Sequence, residues 1–281
     1  MAEEAVVEGD EFGVWLIVRD NMQYPSAKKA PKDIFGFYML DLIGRSCLIT
    51  GGSKGIGLAI ATRFARAGAT CTLVARHEKP LQDAISSLAK CEQQDHRFLV
   101  GDVGDKELWE QAVKVNPRID ILVNSAGQSQ TSLLLRTPIE EIDDVVRVNL
   151  LGTIYGTRFY LKEMARARRG CIINISSILA STGGVGSSVY AASKAGLHGF
   201  VKSMAQEASH FNVRINNILP GYIETEMTAA IPSSTRVGAF LRTPLGRFGT
   251  AAEVADAAYY LATSEYVTGT DLIIDGGYAS R

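Results

Sequence analysis

The chain has little of what marks an unusual protein class. It contains only 4 cysteines, Cys47, Cys71, Cys91 and Cys171, in 281 residues. They are too few and too scattered for a disulfide framework, and no C-x-x-C pair suggests zinc or redox chemistry. Three of them lie in apolar runs, where a free cysteine packs as a small hydrophobe. Neither sign of charge predominates: 29 basic against 30 acidic side chains leave a net charge of −1. Such a balance offers no basic face to a nucleic-acid backbone and no polybasic arm to an anionic membrane. Long hydrophobic runs are missing too. The longest, near Phe12–Val18, falls far short of the roughly 20 residues that span a membrane. The first residues carry Glu3, Glu4, Glu8 and Asp10, the opposite of a basic transit peptide, and they lack the charge order of a secretory signal. These absences predict an intracellular protein, with the cytoplasm favoured over the mitochondrial matrix. The expected partners are small molecules or other proteins, with no nucleic acid, no membrane and no metal.

Glycine is the one enriched residue, with 27 positions against a typical share of about 7%. From Ser46 onward, short β-branched runs alternate with stretches of helical period. Strands are predicted at Ser46–Thr50, Ala69–Ala75, Arg97–Val100, Ile119–Val123, Gly170–Ile175, Arg214–Ile218 and Asp271–Ile274, with helices such as Gly55–Ala67 and Lys79–Ala89 between them. Strands joined by crossover helices are parallel. The fold class is therefore α/β, a doubly wound seven-stranded parallel sheet with helices on both faces. A (β/α)₈ barrel would need eight such units and has no use for a glycine-rich loop after its first strand. Residues 1–36, with Pro25 and Pro31, break the alternation and read as an N-terminal extension in which Phe12–Val18 could form an edge strand. An alternative is a start codon placed too early, before Met22 or Met39. Residues 37–281 read as one domain.

Thr50-Gly51-Gly52-Ser53-Lys54-Gly55-Ile56-Gly57 follows the first strand directly. Gly51, Gly55 and Gly57 have the G-x-x-x-G-x-G spacing at a strand-to-helix junction, where a phosphate would meet free backbone N–H groups and the positive helix end. Glycine permits the tight turn and the close approach of backbone to ligand. No G-K-[ST] follows, so a P-loop is excluded. An NAD-binding fold usually places an acid at the end of the second strand to bind the ribose 2′-hydroxyl. Here that place reads Val74-Ala75-Arg76-His77. Arg76, with Lys54 across the loop, would instead attract a 2′-phosphate, so the expected cofactor is NADP(H). The competing reading of both cations is an ordinary solvated surface.

Tyr190 and Lys194 are four residues apart, on one face of a helix. Y-x-x-x-K alone is a weak signal. A second instance, Tyr24 with Lys28, has Pro25 directly after its tyrosine and is read as coincidence. Tyr190 differs in its company: Ser177 upstream at the end of a strand-like run, and Asn149 before a helix.

With these motifs in order, the sequence resembles the short-chain dehydrogenase/reductase family from about Leu40 to Tyr278. The T-G-x-x-x-G-x-G loop, Asn124-Ser125-Ala126-Gly127, Asn149, Ser177, Tyr190, Lys194, Pro220-Gly221 and Asp275-Gly276-Gly277 carry the resemblance. Ser125 stands where the family often has a second asparagine. The resemblance implies a Rossmann fold and a catalytic set of Asn149, Ser177, Tyr190 and Lys194. Tyr190 would donate the proton, Lys194 would lower its pKa and hold the nicotinamide ribose, Ser177 would stabilise the substrate oxygen, and Asn149 would hold a relay water. It also implies cofactor contacts at Gly51, Ser53, Lys54, Gly55, Ile56, Gly57 and Arg76, at Asp102 beside the adenine, and at Asn124 and Gly127 in the crevice. Pro220, Gly221, Ile223 and Thr225 would meet the nicotinamide end.

Leu133-Leu134-Leu135-Arg136 and Pro244-Leu245-Gly246-Arg247-Phe248-Gly249 are similar to the 3-oxoacyl-[acyl-carrier-protein] reductase branch. An acidic carrier would dock on basic residues beside the active-site mouth, for which Arg166, Arg168 and Arg169 are the candidates. Phe211 occupies the branch's second basic position, and cations at a helix end are also favoured simply by its dipole. A substrate lid is expected over about residues 223–245, lined by Met227, Ile231 and Phe240, which suits an acyl chain or a quinone. The alternatives are a general carbonyl, quinone or polyol reductase, and a non-catalytic NADP-binding regulator. The family pattern further implies a homotetramer.

Overall fold

The structure is a computed structural model, described for residues 41–91, 94–130 and 132–280. The expectations for residues 1–36, including a strand over Phe12–Val18, lie outside the described residues. Seven strands form a single parallel sheet: β1 (Ser46–Thr50), β2 (Thr70–Ala75), β3 (Arg97–Val100), β4 (Ile121–Asn124), β5 (Gly170–Ile175), β6 (Val213–Pro220) and β7 (Asp271–Ile274), in the order β3-β2-β1-β4-β5-β6-β7. Between them run α1 (Gly55–Arg66), α2 (Glu78–Ser87), α3 (Lys106–Val115), α4 (Ile139–Val146), α5 (Gly152–Ala167), α6 (Leu179–Thr182), α7 (Ser188–Ser209), α8 (Glu226–Ala229), α9 (Ser233–Arg242) and α10 (Ala251–Thr263). Four of the predicted strands are recovered with the same bounds, and β2, β4 and β6 with ends shifted by one or two residues. β4 starts at Ile121, just after Asp120, whose carboxylate accepts from Ser46 N at 2.9 Å, and it extends to Asn124, which registers with Asn174 on β5.

The sheet has apolar residues on both faces, as a parallel sheet covered by helices requires. Cys47 and Ile49 of β1, Ile121 and Val123 of β4, and Cys171 and Ile173 of β5 pack toward α1 and α10, while the intervening Leu48, Leu122 and Ile172 pack with Trp109, Tyr160 and Val201 on the other side. That alternation is the two-residue period of a strand. On α1 the buried residues are Gly57, Ile60, Ala61, Phe64 and Ala65, the i, i+3, i+4, i+7, i+8 stripe of a helix with one apolar face.

The chain steps from β1 outward to β3 and then returns to β4 on the other side of β1. This reversal opens a crevice beyond the carboxyl ends of β1 and β4, where doubly wound folds bind ligands. No helix among the described residues is long and apolar enough to cross a membrane.

Candidate active site

A cleft of about 740 Å³ lies over these strand ends. Its first wall is the glycine loop. Gly51 has φ +65°, a left-handed conformation that favours glycine. At Gly57 a Cβ would sit 2.3 Å from the Gly51 carbonyl oxygen, so the loop closes on itself only without one. No side chain caps the start of α1 at Lys54, which leaves first-turn N–H groups for an anion. Gly57→Ala is expected to cost about 1–3 kcal/mol through overpacking and to displace Gly51. Thermal denaturation and cofactor-fluorescence titration check this; an unchanged Tm with unchanged affinity rules it out.

Of the residues expected at the cofactor, Gly51, Ser53, Lys54, Gly55, Ile56, Gly57, Arg76, Asp102, Gly127, Pro220, Gly221, Ile223 and Thr225 all line the cleft. Arg76 is exposed at the end of β2. The ammonium of Lys54 is less free than expected, because it forms an ion pair with Glu226 on α8. A phosphate would have to compete with that carboxylate. Asp102 accepts from Gly104 N at 2.8 Å and pairs with Arg147 at 3.1 Å. Burial raises its carboxyl, but the guanidinium and the N–H outweigh burial and hold it below its ordinary value. Thr225 caps α8, its hydroxyl accepting from Thr228 N at 3.4 Å.

Asn124 departs from expectation. It does not line the cleft but is buried within the sheet, where its Nδ2 donates to Asn174 Oδ1 at 2.9 Å. Asn174 in turn donates to Asn217 Oδ1 at 3.3 Å, and Asn217 donates to Asp271 Oδ1 at 2.7 Å. The four residues register side by side on β4, β5, β6 and β7, forming a polar row that ties the strand ends together.

Ser177 follows β5, while Tyr190 and Lys194 lie on one face of α7, and all three line the cleft. The Ser177 Oγ accepts from Leu179 N at 3.1 Å, and its hydroxyl acts on the Tyr190 phenol, favouring ionisation. Lys194 is 4% exposed and donates from Nζ to the Ile175 carbonyl at 2.7 Å. Burial pushes this ammonium down to about 8. The expected net lowering of Tyr190 is not what the site shows. Burial is the largest influence on the phenol and raises it, with Ser177 acting in the opposite direction.

Asn149 sits in a π-helical turn at Arg147–Leu151 and does not open onto the cleft. Its side chain is tied to both neighbours: Oδ1 accepts from Gln128 N at 2.8 Å, while Nδ2 donates to Gln128 O at 2.9 Å and Ser193 Oγ at 3.0 Å. That amide therefore pins the loop after β4 to α7, with both donors used and one acceptor lone pair of Oδ1 left. A Cβ on Gly127 would be 3.5 Å from both Asn149 Oδ1 and Lys194 Nζ, so Gly127 is the spacer between them.

In the lid, Met227 and Ile231 line the cleft. Phe240 does not; its ring stands edge-on to Phe248 at 6.3 Å. The period of α9 turns Thr235, Gly238, Ala239 and Arg242 toward the cleft and carries Phe240 out of that stripe. The cluster of Arg166, Arg168 and Arg169 is also not at the mouth. It precedes β5, whereas Ser177 follows β5, and six residues of strand put about 20 Å between those ends. There Arg166 pairs with Glu163, Arg168 donates to the His210 carbonyl, and Arg169 pairs with Asp120.

The chain matches the short chain dehydrogenase family over residues 45–236. It belongs to the short-chain dehydrogenase family. It is 40% identical over 242 residues to the 3-oxoacyl-[acyl-carrier-protein] reductase FabG of Thermotoga maritima, covering 84% of this chain and 98% of that protein. It is 38% identical over 239 residues to carbonyl reductase family member 4 of Xenopus laevis, with 84% and 98% covered. A solved short chain dehydrogenase/reductase family protein superposes with a TM-score of 0.78 at 31% identity, covering 85% of this chain and 99% of that one. Membership in the short-chain dehydrogenases makes this chain an oxidoreductase and implies a nicotinamide cofactor, which the glycine cradle and its uncapped helix start fit.

Two residues that shape this dehydrogenase's site escaped the sequence reading. The Thr50 hydroxyl accepts from Ser125 N and Ala126 N, both at 3.0 Å, and so anchors the turn after β4 to the end of β1. Gln130 is buried, and its Oε1 accepts from Val189 N at 2.7 Å and Tyr190 N at 3.4 Å. It caps the start of α7 from another segment, because Ser187 provides no side-chain cap. Thr50 lay within the recognised loop motif, but nothing in the sequence around Gln130 indicates its partner.

Proposed function

We propose that the chain reduces a ketone to a secondary alcohol with NADPH, and that the ketone is a 3-oxoacyl thioester borne on acyl carrier protein. The observation that carries this reading is the convergence of Ser177, Tyr190 and Lys194 on one cleft whose substrate side is walled by Ile178, Met227, Ile231 and Tyr222. An apolar wall with a few convergent polar groups suits an acyl chain better than a sugar.

The cofactor supplies a hydride when bound. Backbone N–H groups of the Gly51–Gly57 loop hold its phosphates, with Arg76 and Lys54 taking a 2′-phosphate. Pro220, Gly221, Ile223 and Thr225 orient the reacting end, and Gly127 lets it approach Lys194. Ser177 donates a hydrogen bond to the substrate carbonyl oxygen and stabilises its developing charge. Tyr190 Oη then gives its proton to that oxygen, so the alcohol forms and the phenol becomes phenolate. The Lys194 ammonium stabilises the phenolate. Asn149 keeps the Gln128 segment in register with α7.

NADPH is expected to give the higher kcat/KM. Arg76→Gln is expected to lower the preference over NADH by roughly tenfold or more, the worth of a hydrogen bond to a charged group. A wild-type preference for NADH would end the assignment of the phosphate site.

The relative named carbonyl reductase family member 4 favours a second reading, reduction of a quinone or another free carbonyl, with ketose reduction as a further variant. Competition among a 3-oxoacyl thioester, a quinone and a ketose separates them, and preference for a non-acyl substrate displaces the first reading. A non-catalytic NADP-binding regulator would bind NADPH without oxidising it in a single turnover with a reactive diketone. An intracellular homotetramer is part of the same proposal, to be tested by sedimentation.

A further inference from the structure

The cleft is lined by Lys54, Arg76, Lys194 and Arg242 among its cations. The first three have partners or roles above, and Arg242 has none. It closes α9, and with Thr235, Gly238 and Ala239 it forms the cleft-facing stripe of that helix, at positions i, i+3, i+4 and i+7. Its guanidinium carbon lies 4.4 Å from the centroid of the Tyr278 ring. Tyr278 is buried and packs at 5.5 Å on Tyr222, which stacks at 5.7 Å on Phe248. Stacking on an aromatic face orients a guanidinium while leaving its N–H donors available.

Among the described residues no carboxylate forms an ion pair with Arg242, whereas the neighbouring Arg247 is paired with Glu253 at 2.6 Å. Tyr222 lines the same cleft as Arg242 and the candidate proton donor Tyr190. A helix dipole favours a cation in the last turn on any face; it does not account for the cleft-facing position or for the prebuilt aromatic support.

We propose that Arg242, held on Tyr278, is an anion-recognition subsite of the substrate compartment that takes the phosphate of a phosphopantetheine-linked substrate. The inference rests on the thioester reading above. It adds the group that lets this cleft select a thioester on a phosphorylated arm over a free carbonyl. Coenzyme A and acyl carrier protein share that arm, so the subsite reads the phosphate whichever of them brings it.

Equilibrium binding of 4′-phosphopantetheine and of pantetheine to the full chain with NADP⁺ tests the subsite without turnover. Wild type is expected to bind the phosphorylated compound at least tenfold more tightly, the worth of a charge-assisted hydrogen bond. Arg242→Gln is expected to remove that difference, and Arg242→Lys, which keeps the charge, to retain part of it. Thermal denaturation of both variants separates loss of the subsite from loss of the fold. Equal wild-type affinities, or a difference that survives Arg242→Gln in a folded protein, overturns the proposal. Kinetics identify the source of the phosphate. The KM advantage of a coenzyme A or carrier thioester over the matching N-acetylcysteamine thioester narrows by about tenfold in Arg242→Gln, and an unchanged ratio for both phosphorylated thioesters counts against the subsite. Failure of the thioester reading looks different: wild type then reduces quinones and no 3-oxoacyl thioester, whatever the binding experiment returns.

Discussion

Tyr190→Phe is expected to lower kcat for ketone reduction by about 10²–10⁴, the usual contribution of a positioned general acid. The substitution removes one oxygen and keeps the ring, so packing at the start of α7 is preserved and the effect falls on the chemical step. Of the three side chains converging on the cleft, Ser177 has a hydroxyl far too weakly acidic to end the reaction ionised, and Lys194 is turned to the Ile175 carbonyl. The Tyr190 phenol lines the same cleft and is the remaining O–H acidic enough to give up its proton. Because burial raises its pKa, the group is fully protonated and ready to donate at neutral pH. Steady-state kinetics with a saturating diketone and NADPH measure the loss, and retention of nearly full kcat removes Tyr190 from the mechanism. Substrate KM should change little, since proton delivery belongs to the transition state rather than to ground-state binding.

How far the site could be read from the sequence depends on whether its signal is local. The strands and α1 are legible because a two-residue and a 3.6-residue period are written directly along the chain. The glycine loop is legible because close approach restricts side chains at fixed offsets, as Gly57 shows. Asn124 was misassigned because its partner, Asn174, is 50 residues away and becomes a neighbour only through strand register. Asn149 shows the same limit, since its amide contacts with Gln128 and Ser193 join segments 21 and 44 residues away. Gln130 caps a helix 59 residues downstream, and no local pattern encodes that. The arginines at 166–169 are a different case. Their placement away from the cleft was already implied, because a residue preceding a parallel strand lies at the opposite edge of the sheet from one following it.

The pH dependence of reduction is where Lys194 should reveal itself. An ordinary lysine titrates near 10.4, whereas burial brings Lys194 down to about 8. Below that value the ammonium is present and can stabilise the forming phenolate. As pH rises through it, the charge is lost, and reductive kcat/KM should fall about tenfold per unit above pH 8. Tyr190 cannot produce this limb, because its own shift is upward from an ordinary value near 10. Arginine remains charged across the whole range, so in Lys194→Arg the limb near 8 should vanish even if the larger side chain lowers the rate. Lys194→Met should lose about 10²–10³ below pH 8, the scale of one removed electrostatic stabiliser, should show no limb near 8, and should approach wild type as pH rises. A wild-type profile flat to pH 10 would mean that the ammonium keeps its proton, and the buried contact with Ile175 would then be orienting the side chain without tuning its charge.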